Sequence, residues 1–127
     1  MEVQTLKWKL APNVAAHPEK YMDVELPPAR VLELWRSSIV AYEWLDQGQP
    51  KPLEKLNPNL KDEYEMILKA LKDGTEIEQP LLGIGIFDSL EVGMGRATIC
   101  ALAAANVPVL RMSLPVSMEK AYRKLVK

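Results

Sequence analysis

At 127 residues with a formal net charge of −1, the chain is sized for one domain and has no excess of cations to neutralise nucleic-acid phosphates, so any nucleic-acid contact needs a local basic patch. No apolar run approaches the roughly 20 residues that cross a bilayer, and residues 1–14 lack the uninterrupted apolar core of a signal peptide. A single cysteine forms no internal disulfide, and one cysteine with one remote histidine makes no metal-ligand cluster of the usual spacing; the expectation is a cytoplasmic protein without a metal site or a membrane partner.

The chain opens on Val3 to Leu10, a polar/apolar alternation that predicts a strand. A Pro- and Ala-containing link follows to about Pro18, with His17 read as a solvated loop histidine, and Tyr21 to Leu26 predicts a second short strand. Pro27-Pro28 is suited to the first turn of a helix. Leu32, Trp35, Ile39 and Tyr42 form its apolar stripe, widened by Val31, Leu34 and Leu45, with Gly48 and Pro50 ending it. Trp35 is expected in the core. Trp44 falls off the stripe, which makes it the candidate contact for a second subunit of a homodimer or for another protein.

Residues 47 to 60 hold Pro50, Pro52 and Pro58 without a clear period and read as a Pro-rich loop, either a docking surface or a mobile connection. Asn57-Pro58 then caps a helix whose stripe is Leu60, Tyr64, Ile67, Leu68 and Leu71, stopped by Gly74.

The densest stretch is Gln79 to Leu114. Leu82, Ile84 and Ile86 share one face of an extended segment, with Gly83 and Gly85 on the other. Phe87-Asp88-Ser89 supplies turn chemistry, and Leu90-Glu91-Val92 resumes the alternation, which predicts a hairpin whose second arm ends at Gly93. Arg96 and the strong helix formers Ala97 to Ala105 follow, closed by Asn106, which tolerates the left-handed conformation. Val107 to Met112 alternates as a further strand with Pro108 at its start. Ser117 is the expected N-cap of a last helix with Ala121, Tyr122 and Leu125 on one side and Lys120, Arg123, Lys124 and Lys127 on the other.

Gly93-Met94-Gly95-Arg96 carries the most chemistry. A helix start offers backbone N–H groups without intrahelical acceptors and a partial positive charge. Two glycines leave those groups unobstructed and can take positive φ, so that consecutive N–H groups converge on an anion, and Arg96 adds a planar fork of donors suited to phosphate oxygens. The competing reading is a strand-to-helix turn that needs glycine for its geometry, with Arg96 paired to Glu91 or another carboxylate.

The order strand, turn, strand, Gly-x-x-Arg, helix, strand, with Gln79-Pro80 leading in and Val107-Pro108-Val109 following, resembles the ParB/sulfiredoxin fold over roughly residues 62 to 114. That resemblance implies a single α/β (α+β) domain over residues 1–127, a small mixed sheet with packed helices, to which residues 1–46 add an N-terminal strand and helix. It implies that the turn binds nucleotide phosphates, ATP in sulfiredoxins and CTP in ParB proteins, with Mg²⁺ accompanying the nucleotide. The implied cradle is Gly93, Met94, Gly95 and Arg96, with Thr98 nearby and Gln79 at the nucleotide pocket.

The chain also departs from the family. Sulfiredoxins place a reactive cysteine where Met94 stands, and a thioether is no thiolate nucleophile. Cys100, among alanines, reads as a packed residue. Met94-Gly95 offers no general base, so bond-breaking chemistry would need a carboxylate from Glu78, Asp88 or Glu91, and whether the chain is an enzyme stays open. ParB partition proteins continue into a helix-turn-helix domain, whereas this chain stops soon after the core motif and is expected to be an isolated ParB-like domain of phage or plasmid type. The expected function is nucleotide or phosphate binding, acting on nucleic acid or as a nucleotide-gated regulator. The alternative is a catalytically silent module that binds a protein through the Pro-rich loop and Trp44, and nuclease activity ranks last.

Overall fold

A chain whose apolar pattern switches between a period of two and one of about 3.6 residues builds strands and helices in alternation, and the computed structural model has that mixed character. It describes residues 6–36, 38, 41, 44–47, 49–85 and 89–127, with Leu53 described by its backbone. In order these form β1 (Trp8–Lys9), α1 (Pro12–Ala16), β2 (Tyr21–Leu26), α2 (Pro28–Trp35), β3 (Leu45–Asp46), β4 (Gln49–Pro50), α3 (Pro58–Asp73), β5 (Ile77–Glu78), β6 (Leu81–Ile84), β7 (Leu90–Met94), α4 (Arg96–Ala104), β8 (Leu110–Pro115) and α5 (Glu119–Val126). The predicted positions Val3, Gln4, Thr5, Ile39, Tyr42, Gly48, Ile86, Phe87 and Asp88 lie outside the described residues.

β2, β8, β6 and β7 hydrogen-bond in that order as a four-stranded sheet, with β8 antiparallel to β2 and parallel to β6, and β6 antiparallel to β7. The alternation predicted for the hairpin is present. Leu90 and Val92 are buried while Glu91 between them is half-buried, and Gly85 N–H donates to the Ser89 carbonyl at 2.8 Å where the arms converge. β1 and β5 make a separate parallel pair, and β3 and β4 a short antiparallel one. α4 packs against α3 and α2, and α2 reaches β7. Trp35, Ile99, Leu102 and the inner residues of β8, Leu110, Met112 and Leu114, are at 0% exposure, so the core lies between the sheet and α4.

Helix ends follow their local chemistry. The Asn57 side chain accepts from the Asn59 N–H at 3.0 Å and Pro58 takes the first helical position of α3, while Gly74 leaves the helix at φ +70°. α4 ends in a Schellman arrangement: Asn106 at φ +59°, its N–H on the Ala103 carbonyl and the Val107 N–H on the Leu102 carbonyl, both at 3.1 Å. Because Val107 is spent on this cap, β8 begins at Leu110 and not at the predicted Val107, and Pro108 precedes the strand. Ser117 is likewise not an N-cap: Val116–Met118 forms a 3₁₀ turn, α5 starts at Glu119 without side-chain capping, and Ala121 is exposed whereas Tyr122 is buried.

The largest departure follows α2. The helix expected to run to Gly48 ends at Trp35. Beyond it Ser38 N–H donates to Trp35, Ala41 to Ser38 and Trp44 to Ala41, at 2.8, 3.2 and 3.0 Å. Bonds that step by three residues tighten the chain toward 3₁₀ geometry, in which residues i and i+3 eclipse. Trp35, Ser38, Ala41 and Trp44 are all buried in consequence, and Leu45 enters β3. Trp44, 3% exposed, is a core residue and not the surface contact that a 3.6-residue period predicts. The Pro-rich segment is also more structured than a plain loop. β3 and β4 pair at its start with Gln47 at φ +52°, Leu53–Lys55 makes a 3₁₀ turn, and Leu56 is buried.

Candidate functional site

β7 reaches the candidate site through a bulge. Leu82 pairs with Val92 but Leu81 pairs with Met94, so Gly93 is the extra residue between them. The strand therefore does not stop at Gly93. Nor does Gly93 take positive φ, and a Cβ there would meet only the Leu81 carbonyl oxygen, at an ordinary 3.6 Å. The picture of two glycines curling successive N–H groups around an anion is corrected to one glycine. Gly95, at φ +87°, is the N-cap of α4.

Gly95 is required twice over. Its dihedral belongs to the left-handed region, and a Cβ on it would come within 2.8 Å of the Pro80 Cα and 2.9 Å of the Pro80 Cβ. Pro80 of the Gln79-Pro80 pair thus packs directly on the Gly-x-x-Arg turn. No side chain caps α4 at this end, and the first bond of its ladder is Ile99 N–H to the Gly95 carbonyl at 3.1 Å. The N–H groups of Arg96, Ala97 and Thr98 lie ahead of that ladder.

Arg96 folds back along the strand it follows: its Nε donates to the Val92 carbonyl at 2.9 Å. One edge of the guanidinium is thereby fixed, while the two Nη groups have no partner among the described residues. Glu91 is not the counter-ion. Its carboxylate accepts from the Ser38 and Ser89 hydroxyls, which leaves Arg96 without an ion pair to a described carboxylate.

The remaining predicted residues do not all converge on this turn. Met94 is 41% exposed beside it. Thr98 sits in the first turn but is buried, 5% exposed. Gln79 is turned away. Its Nε2 donates to Asp23 Oδ1 at 3.0 Å and to Ser113 Oγ at 3.3 Å, and its backbone N–H donates to the Lys9 carbonyl at 2.8 Å. It lines a 320 Å³ depression with Trp8, Tyr21 and Asp23, to which no residue of the Gly-x-x-Arg turn contributes. Sequence reading missed Asp23 and Ser113 because they come from β2 and β8, and a single amide gives no local sign of cross-strand partners.

Cys100, 1% exposed in the middle of α4, has its thiol pushed up to about 12 by burial, far from the thiolate that redox chemistry needs. Of the carboxylates considered as general bases, Glu91 is engaged by hydroxyls, Glu78 is exposed in β5, and Asp88 lies outside the described residues. His17 is exposed, 3.9 Å from Glu19. Among the described residues no three His, Cys, Asp or Glu side chains stand close enough to share a metal ion, and no helix is long and apolar enough to cross a membrane.

No family model matches the chain, and neither the curated proteins nor the solved structures contain a match to it.

Proposed function

We propose that the chain is a ParB/sulfiredoxin-like domain that binds a nucleotide or another phosphate-bearing ligand at the Gly95-Arg96 end of α4. The observation that carries this reading is the state of Arg96. Its Nε is held by the Val92 carbonyl, its Nη groups are unengaged by any described residue, and it stands beside N–H groups that the helix ladder does not use. A preoriented guanidinium next to an open helix start suits phosphate oxygens, because fork and dipole act on the same anion. The lack of a Cβ at Gly95 lets Pro80 pack against the turn, which fixes where the helix start stands.

The chain's own residues would bind and orient such a ligand; Met94 supplies no base, and Mg²⁺ would arrive on the phosphates. Nucleotide-gated regulation, or action on nucleic acid through a local patch, is the class of activity consistent with binding without an in-built base. A silent interaction module remains the alternative. With Trp44 buried, it would rest on the Pro-rich segment alone.

Calorimetric titration of ATP, CTP and GTP, with and without Mg²⁺, into the protein and its Arg96→Ala variant tests the reading. Saturable heat that the variant loses, while its unfolding transition is kept, is the expected result. Equal affinity in the variant, or no heat for any of the three confirmed by a second binding method, favours the interaction module.

A further inference from the structure

We infer that the open cleft bordered by the start of α2, the Pro50–Pro52 segment and the end of α4 is a second ligand site, separate from the Gly-x-x-Arg turn, that takes a small carboxylate with an apolar body. Its volume is about 620 Å³, within the range typical of small-molecule sites. The walls are mainly apolar: Pro27, Pro28, Leu32, Pro50, Pro52 and Val107. Four prolines set the backbone φ along much of that wall, so the shape is largely preformed and costs little ordering on binding.

Three polar features give the cavity its preference. Tyr64 is one of its walls and only 5% exposed, yet its hydroxyl has no hydrogen-bond partner among the described residues. Tyr64 thus puts a phenol on the wall of the cavity, and among the described residues only Trp35 Nε1 is a sealed, unsatisfied side-chain polar atom. A phenol O–H on the cavity wall can donate to an acceptor that enters. Secondly, α2 begins here. Arg30 and Val31 both donate to the Pro27 carbonyl and Pro28 has no N–H, which leaves Ala29 N–H ahead of the helix ladder at the positive end of the dipole. Thirdly, Lys51 is the one charged residue of the lining and makes no ion pair with a described residue.

The end of α4 offsets this little, since the carbonyls of Ala101, Leu102 and Ala103 are already occupied by the N–H groups of Ala105, Asn106 and Val107. Gln49 and Asn106 add amides that both donate and accept, so Lys51 gives the polar end its charge, and apolar surface covers the rest. A carboxylate on an aromatic or branched body satisfies both.

The test is an amide-shift titration of the ¹⁵N-labelled full chain with benzoate, with benzamide and inorganic phosphate as controls. Saturable shifts in the millimolar range at Ala29, Lys51, Tyr64 and Asn106 are expected for benzoate, with benzamide weaker by about tenfold because it lacks the charge. Phosphate should leave these amides in place, since it lacks the apolar body. Tyr64→Phe should weaken benzoate by about tenfold, in line with a hydrogen bond to a charged group, and Lys51→Gln by a smaller factor. Both variants should fold, because neither side-chain polar group has a described protein partner. Arg96→Ala should bind benzoate as the parent does. Absence of saturable shifts, benzamide or phosphate binding as well as benzoate, or undiminished affinity in Tyr64→Phe would each overturn the inference.

Discussion

The two ends of α4 use their backbone in opposite ways. At the C-terminal end Asn106 turns left-handed, and the N–H groups of Ala105 to Val107 take up the carbonyls of Ala101 to Ala103, so the helix closes on itself. At the N-terminal end Gly95 also turns left-handed, but no side chain caps the helix, and the nearest cation spends one nitrogen on the preceding strand and none on a described carboxylate. A left-handed residue thus seals one end and opens the other. Conformation alone does not mark a binding site; what matters is whether the backbone groups that it exposes are then consumed.

This contrast can be broken by substitution, most forcefully at Gly95. Gly95→Ala is expected to cost about 3 kcal/mol, the sum of a left-handed alanine and overpacking against Pro80, read as a lower urea midpoint at unchanged m-value. A loss below about 1 kcal/mol would mean that Pro80 yields and that the tight contact is not a constraint.

Between the two ends, Cys100 reports whether the middle of the helix stays shut. Burial raises its thiol from 9.0 to about 12, so the neutral form contributes its full stability below pH 9, and that contribution falls as pH climbs toward 12. Cys100→Ala should therefore lose less stability than the parent in that window, by about 1 kcal/mol per pH unit. Tyr122, also raised by burial, is present in both proteins and cancels, whereas Tyr64 is raised by burial and then by the Cys100 charge, so its part of the loss is smaller in the variant and acts in the same direction. At pH 8 the parent thiol should resist a disulfide reagent until the chain is unfolded.

The closed end is sharpened by Asn106→Val, with an expected cost of about 1 kcal/mol for a β-branched residue at positive φ, whereas Asn106→Gly should be neutral or slightly stabilising; thermal unfolding of the pair separates dihedral from side chain. Smallest of all is Gly93→Ala, expected within about 0.5 kcal/mol of the parent because its Cβ finds ordinary space. A cost comparable to that at Gly95 would restore the two-glycine cradle.

Elements with strong local punctuation were legible in the sequence. The bounds of β2, the Asn57-Pro58 start and Gly74 stop of α3, and the Asn106 end of α4 each rest on residues within one turn of the feature, and each is present. The Gly-x-x-Arg turn was legible as an open helix start for the same reason. Trp44 was misread because the local repeat shortens from 3.6 to three residues, a change made by backbone bonding that composition does not announce. Gln79 was misplaced because its partners Asp23 and Ser113 are 56 and 34 residues away. Tyr64 was read, correctly, as part of a buried stripe; nothing in a helical period distinguishes a hydroxyl with a partner from one without.

The bulge at Gly93 has a consequence for the spacing of the chain. With the extra residue, Met94 still faces Leu81 across the ladder and Gly95 arrives against Pro80; without it, every residue from Met94 onward would reach the sheet edge one position early. Since a helix turns about 100° per residue, the Arg96 side chain would then leave the helix on a different side from the Val92 carbonyl that now holds it. The number of residues between Leu90 and Arg96 is therefore as strict a requirement as their identities. A chain that matches this one in composition but carries a single-residue gap in that interval would not share the geometry of the turn.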